Sequence, residues 1–146
     1  MQESQQVSSQ SVEKPKVAII ACAGMDKALG SVARTTAFIV TEKLRPDNTL
    51  LVCIPPLVAD VKPNAELIKK YPVVTIDGCA ERCATKIVAK AGARIRGRIF
   101  VPQSAQTYNL KPNTASDIGQ EGEKLAEKIA EETAVLVSKL CEGGLK

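Results

Sequence analysis

The chain reads as blocks of apolar residues separated by stretches of helical periodicity. Residues 17–22 (VAIIAC) are a continuous apolar run that gives way to Ala23-Gly24, the pattern of a strand buried on both faces followed by a loop. Over residues 31–44 the period changes: Val32, Thr36, Ile39, Val40 and Lys43 recur at helical spacing, and Pro46 closes the segment. Residues 49–54 (TLLVCI) predict a second buried strand, stopped by Pro55-Pro56. Pro63 suits a helix entrance, and a short helix is expected through 65–70. Residues 72–77 (PVVTID) predict a third strand broken by Gly78, and 79–91 a helix with Ile87 and Val88 inward and Gly92 as its C-terminal cap. A fourth strand is expected over 93–101, ending at Pro102. Asp117 with Gln120 reads as a capping box for a last helix carrying Leu125, Ile129, Leu136 and Leu140, which Gly143-Gly144 ends. Between them, 102–116 read as a long loop with room for a role of its own.

Strand followed by helix, four times over, predicts an α/β fold. The expected architecture is a single doubly wound, flavodoxin- or Rossmann-like domain over 16–146. It has a mostly parallel four-stranded sheet in the order 2-1-3-4 and helices on both faces. Residues 1–15, rich in Gln and Ser and aperiodic, are expected to be a disordered tail.

Composition narrows the chemistry. Aromatics make up 3% of residues with no Trp, so the core must come from Val, Ile, Leu and Ala, and no set of exposed rings is available to stack bases. A net charge of +4 spread along the chain is not a nucleic-acid footprint. The first fifteen residues are polar and carry two Glu, unlike a secretory leader. Ile19-Ile20-Ala21-Cys22 matches a lipoprotein cleavage box, but its apolar run begins only at Val17, too short for the required hydrophobic region. No stretch approaches a membrane span, and a cytoplasmic protein is expected. Histidine is absent, which removes the commonest general acid/base and the commonest metal ligand together. A transition-metal site would have to rest on cysteine.

Five cysteines are many for such a chain, and an odd number argues against a complete disulfide framework. Cys22 ends the first predicted strand, Cys53 lies near the end of the second, and Cys79 follows the third by one glycine. In a parallel sheet those three ends share one edge, the edge where open α/β sheets bind ligands. Cys83 is four residues beyond Cys79; if both are helical they share a face, with Cβ atoms roughly 5–6 Å apart. A helix N-terminus at Cys79 with Arg82 nearby would favour the thiolate, the form needed both by a metal and by a nucleophile, and Lys27 could offset further charge. Asp77 is positioned to cap that helix, and Gly24 and Gly78 to allow tight turns around the site. The plainer alternative is that a cysteine in an apolar strand is a small hydrophobe, which applies most to Cys53 and to Cys141 in the last helix.

The segment Asp77-Gly78-Cys79-Ala80-Glu81-Arg82-Cys83-Ala84, followed by a Lys-bearing helix ending at Ala91-Gly92, resembles the DGC-domain family, named for its Asp-Gly-Cys step. Cys22-Ala23-Gly24 with Gly30-Ser31-Val32 is similar to that family's glycine-rich first loop, and Cys53 to its second-strand cysteine. The resemblance spans about residues 17–101. It implies a zinc site made by Cys22, Cys53, Cys79 and Cys83, and implies no activity.

The expected function is therefore a zinc-binding protein whose role is structural, regulatory or metal-handling, with the metal ion as its partner. The alternative is a thiol redox or sulfur-transfer enzyme using one activated cysteine of the same cluster. An iron–sulfur cluster on the same thiolates ranks behind zinc. Phosphatase chemistry would need an arginine in the loop after the nucleophile, and Ala28, Thr85 and Ala89 stand six residues beyond Cys22, Cys79 and Cys83. A C-x-x-C redox motif is absent. Arg94, Arg96 and Arg98 alternate as if lining one face of a strand, best read as an edge strand guarded by charge.

Overall fold

The computed structural model describes residues 14–143. Strands β1 (Val17–Ala21), β2 (Thr49–Leu51), β3 (Val73–Asp77) and β4 (Ile95–Phe100) form one sheet in the order β2-β1-β3-β4, with every neighbouring pair parallel. The expected α/β class, strand order and doubly wound layering are all present. The two central strands are the runs of branched aliphatics. Val17, Ile19, Ile20, Val73, Val74 and Ile76 are fully buried, and each such side chain contributes roughly 1.5–3 kcal/mol relative to exposure.

Among the described residues six α-helices cover the sheet. On one face α1 (Ala28–Ile39), α5 (Val101–Tyr108) and α6 (Gly119–Glu142) enclose Val17, Ile19, Val74 and Ile76. On the other, α2 (Ile54–Val58), α3 (Lys62–Lys70) and α4 (Cys83–Lys90) enclose Ala18, Ile20 and Val73. Helix α1 runs on into a π turn, Val40–Leu44, where the Arg45 N–H donates to Val40 O five residues back. The Arg45 Nε–H then donates to Ser138 Oγ of α6 at 2.8 Å. Helix α4 stops as its sequence predicts. Gly92 takes φ +84, its N–H donates to Ala89 O and the Ala93 N–H to Val88 O, a Schellman close. No helix among the described residues is long and apolar enough to cross a membrane.

Several boundaries differ from the sequence expectation. Strand β2 ends at Leu51, and Pro55-Pro56 belong to the first turn of α2 instead of merely stopping the strand. A proline's missing N–H costs nothing in a first helical turn, where N–H groups lack intrahelical partners anyway. Pro102 acts likewise: residues 102–116 are not one long loop, because α5 occupies most of the first half and closes on Asn109 at φ 54. Helix α4 begins at Cys83, not Cys79. At α6, Asp117 Oδ1 accepts the Gly119 N–H at 3.0 Å, and the reciprocal bond from Gln120 is not made. The segment 1–15 lies outside the described residues except for Lys14 and Pro15, as does Gly144.

Strand β4 is an edge strand, and its Arg96 and Arg98, with Arg94 just before it, are exposed. They do not share one face. Val73 pairs with Ile95 and Thr75 with Arg98, so two residues on β3 span three on β4 across a bulge. Charge and a bulge on an edge strand both oppose pairing with another sheet.

Candidate functional site

All strands point the same way, so their carboxyl ends form one edge. Cys22 follows β1 directly, Cys53 stands at the N-cap position of α2 just past β2, Cys79 follows β3 by one residue, and Cys83 opens α4. The chain leaves β1 for β2 on one side and later takes β3 and β4 on the other, so the strand order switches between β1 and β3 at this edge.

Within that edge the four thiols are not equivalent. Cys22 is buried, Cys79 half-buried, and Cys53 and Cys83 exposed; all are free. Exposure of Cys53 removes its reading as an ordinary core residue. Cys22 and Cys53 together line a narrow groove of about 120 Å³ with Arg34, Phe38 and Leu51. Cys79 instead lines a larger cleft of about 540 Å³ between the start of α1, the end of β4 and the α5–α6 connection. Among the described residues, no three Cys, Asp, Glu or His side chains are grouped closely enough to hold a metal ion. The donor set thus suits a thiophilic metal by its chemistry, while the side chains as placed do not enclose one. The expected helical pairing of Cys79 with Cys83 does not occur either, because residues 79–82 form a turn ahead of α4.

The reason α4 starts late is Asp77. Its buried carboxylate accepts the Ala84 N–H at 3.0 Å through Oδ1 and the Thr85 hydroxyl at 2.5 Å through Oδ2. Thr85 Oγ1 also lies 2.7 Å from Thr75 Oγ1. The carboxylate therefore caps α4 from the end of β3, as the sequence suggested. The turn closes through Arg82, whose φ of 52 is left-handed and whose guanidinium lies 4.1 Å from the centre of the Phe100 ring. Such a conformation costs a non-glycine residue of order 1–3 kcal/mol and is held by its surroundings; the cation–π contact offsets part of that.

Gly78 serves close approach, not a tight turn. A methyl placed on it would lie 2.7 Å from both Cα and N of Gly30, and one placed on Gly30 would lie 2.9 Å from Gly24 O and 3.4 Å from Cys22 Sγ. Backbone thus packs on backbone between the loop after β1, the start of α1 and the Asp-Gly-Cys step. Cys22 Sγ accepts the Gly24 N–H at 3.4 Å on one side of this contact, and Cys79 follows Gly78 on the other.

Sequence reading missed Arg34. Its guanidinium donates to Gly24 O, to Cys22 O at 3.4 Å and to Ser31 Oγ at 2.9 Å, and the Ser31 hydroxyl donates to Ala115 O at 2.5 Å. Arg34 therefore holds the loop that carries Cys22 and places positive charge beside its groove. Its position three residues after Ser31 on one helix is the signal that could have found it. Lys27 pairs at 3.7 Å with Asp26. Cys141 lies apart on α6, where burial pushes its thiol up against the opposing pull of Arg45, in keeping with an incidental packing residue.

A family model described as DGC domain matches residues 18–129, most of the chain and all four edge cysteines. The chain belongs to the DGC domain family. The Asp-Gly-Cys step of the family name has a separate physical task at each position here: Asp77 caps α4, Gly78 admits the Gly30 backbone, and Cys79 lines the cleft. No curated protein and no solved structure matches the chain.

Proposed function

We propose that this DGC domain protein binds zinc through the thiolates of Cys22, Cys53, Cys79 and Cys83. The observation that supports this reading is the delivery of four free thiols to one edge by three adjacent parallel strands, in a chain with no histidine. Zinc would supply a charge that four thiolates need and would tie the loops after β1, β2 and β3 together. Arg34 and Lys27 would offset the remaining negative charge. Cys53 and Cys83 are exposed in the present arrangement, so binding requires both to turn inward. Four protein ligands leave no open position for a catalytic water, which makes the role structural, regulatory or metal-handling. Free thiols at all five positions suit a reducing compartment such as the cytoplasm.

The test is single Cys→Ser substitution at all five cysteines, each variant assayed for zinc retained through purification. Stoichiometric zinc in wild type and in Cys141→Ser, with at least tenfold weaker retention at each of the other four, is expected, on the order of second-shell and ligand losses in known sites. Retention unchanged in Cys22→Ser or Cys79→Ser contradicts the ligand set. A brown protein with iron would assign the same thiolates to a cluster instead.

A second reading is carried by one observation: Cys22 and Cys53 line the same groove beside Arg34. Here the pair exchanges with a small disulfide. One thiolate attacks it and releases a thiol; the second displaces the other half, leaving an internal disulfide and two reduced thiols. Metal-free protein that forms a Cys22–Cys53 bond under oxidised glutathione would favour this reading.

A further inference from the structure

The larger of the two openings at the carboxyl edge is not needed by a metal. Its volume, about 540 Å³, is that of a small-molecule pocket. Leu29, Phe100, Leu110 and Pro112 give it apolar walls, while Lys27 and Lys111 line it with positive charge. Among the described residues no Asp or Glu lines it. Glu121 stands outside the lining, where one of its carboxylate oxygens accepts the Lys111 backbone N–H at 2.9 Å. Among the described residues the Lys111 ammonium has no hydrogen-bond or ion-pair partner, while Lys27 has Asp26 at 3.7 Å in a largely exposed pair that solvent keeps weak and easily opened. The start of α1, with no acidic residue in its first turn, opens on the same cleft and adds to the positive field.

We propose that this cleft binds a small organic anion, an apolar body bearing one carboxylate or sulfonate, with the body against Leu29, Phe100 and Leu110 and the acid group toward Lys27 and Lys111. A neutral apolar ligand would make no use of the two lysines, and a cation would be repelled by them. A bare inorganic anion would leave the apolar walls unfilled. Amphipathic anions alone match both linings. Cys79 lies on the inner wall, so an occupant covers that thiol and leaves Cys53, in the other groove, untouched. The proposal does not rest on zinc, since its binding groups are not the cysteines.

The probe is 8-anilinonaphthalene-1-sulfonate, titrated by fluorescence into the full chain, with N-phenyl-1-naphthylamine as its uncharged counterpart. One saturable site is expected, at least tenfold tighter for the sulfonate than for the neutral amine. Lys111→Glu and Lys27→Glu should each weaken sulfonate binding roughly fivefold to tenfold, by removing one attraction and adding one repulsion. Bound sulfonate should slow iodoacetamide labelling of Cys79 in chelator-treated protein and leave labelling of Cys53 unchanged. Equal affinity for the two probes, or indifference to both lysine reversals, or no protection of Cys79, overturns the proposal. Cys53→Ser separates it from the zinc reading: this thiol lies in the other groove, so the sulfonate still binds the variant while zinc retention falls.

Discussion

The two openings at the carboxyl edge share the connection from β1 to α1 and differ in almost everything else. The groove between β1 and β2 is narrow, holds two thiols and is braced by Arg34 from one side. The cleft beyond β3 is more than four times larger, holds one thiol and is flanked by lysines. Between them stands the contact of Gly78 on Gly30. A parallel sheet delivers strand ends to a common edge, but which cavity each side chain enters is decided by the loops. In this protein three strand ends serve two cavities, and only a change at the loops joins the four thiols.

Breaking the cleft side has the largest expected effect. Asp77→Ala removes the acceptor for the buried Ala84 N–H and the half-buried Thr85 Oγ–H, and should cost about 2–4 kcal/mol in urea unfolding. Asp77→Asn keeps one acceptor oxygen and should cost about half as much. Equal losses for the two variants would mean that the carboxylate matters for something other than the cap.

Gly78→Ala tests the wall between the cavities. Its methyl would meet backbone atoms of Gly30 at 2.7 Å, which cannot be relieved by a rotamer change, so roughly 1–3 kcal/mol of stability should be lost. The same substitution at Gly92 should also destabilise, through its positive φ, but without altering zinc retention, whereas Gly78→Ala should lower it.

The groove side is expected to respond less. Arg34→Met removes donors to Cys22 O and Gly24 O and should cost about 1–2 kcal/mol. It should also raise the labelling rate of Cys22 in metal-free protein, because the loop that buries this thiol loosens. The smallest effect belongs to Cys141, which should label more slowly than exposed Cys53 at neutral pH, since burial raises its thiol and leaves less thiolate.

The sheet was legible from the chain because its central strands are uninterrupted branched aliphatics bounded by glycine, and such runs have few other structures. The common edge for Cys22, Cys53 and Cys79 followed from parallel topology alone. What misled was local. Pro55 and Pro102 each end a strand and start a helix, and sequence reading recognised only the first task, hiding α2 and α5. The stretch from Cys79 to Arg82 has no helix breaker, yet it is a turn, because the Asp77 carboxylate fixes the start of α4 through Ala84. That error carried the expected pairing of Cys79 with Cys83. Arg34 left only the weak signal of its spacing from Ser31, and Lys111 none, because a charged residue on a helix or loop acquires meaning mainly from what the fold brings beside it.

The most direct test of the central claim is elemental analysis of the full chain purified without added metal or chelator, with thiols counted before and after chelation. About one zinc per chain, with Cys22, Cys53, Cys79 and Cys83 protected until the metal is removed and Cys141 unaffected by its removal, is the result this account predicts. Metal-free protein in which Cys53 and Cys83 react at once would contradict it, and would leave the two cavities as separate thiol and anion sites.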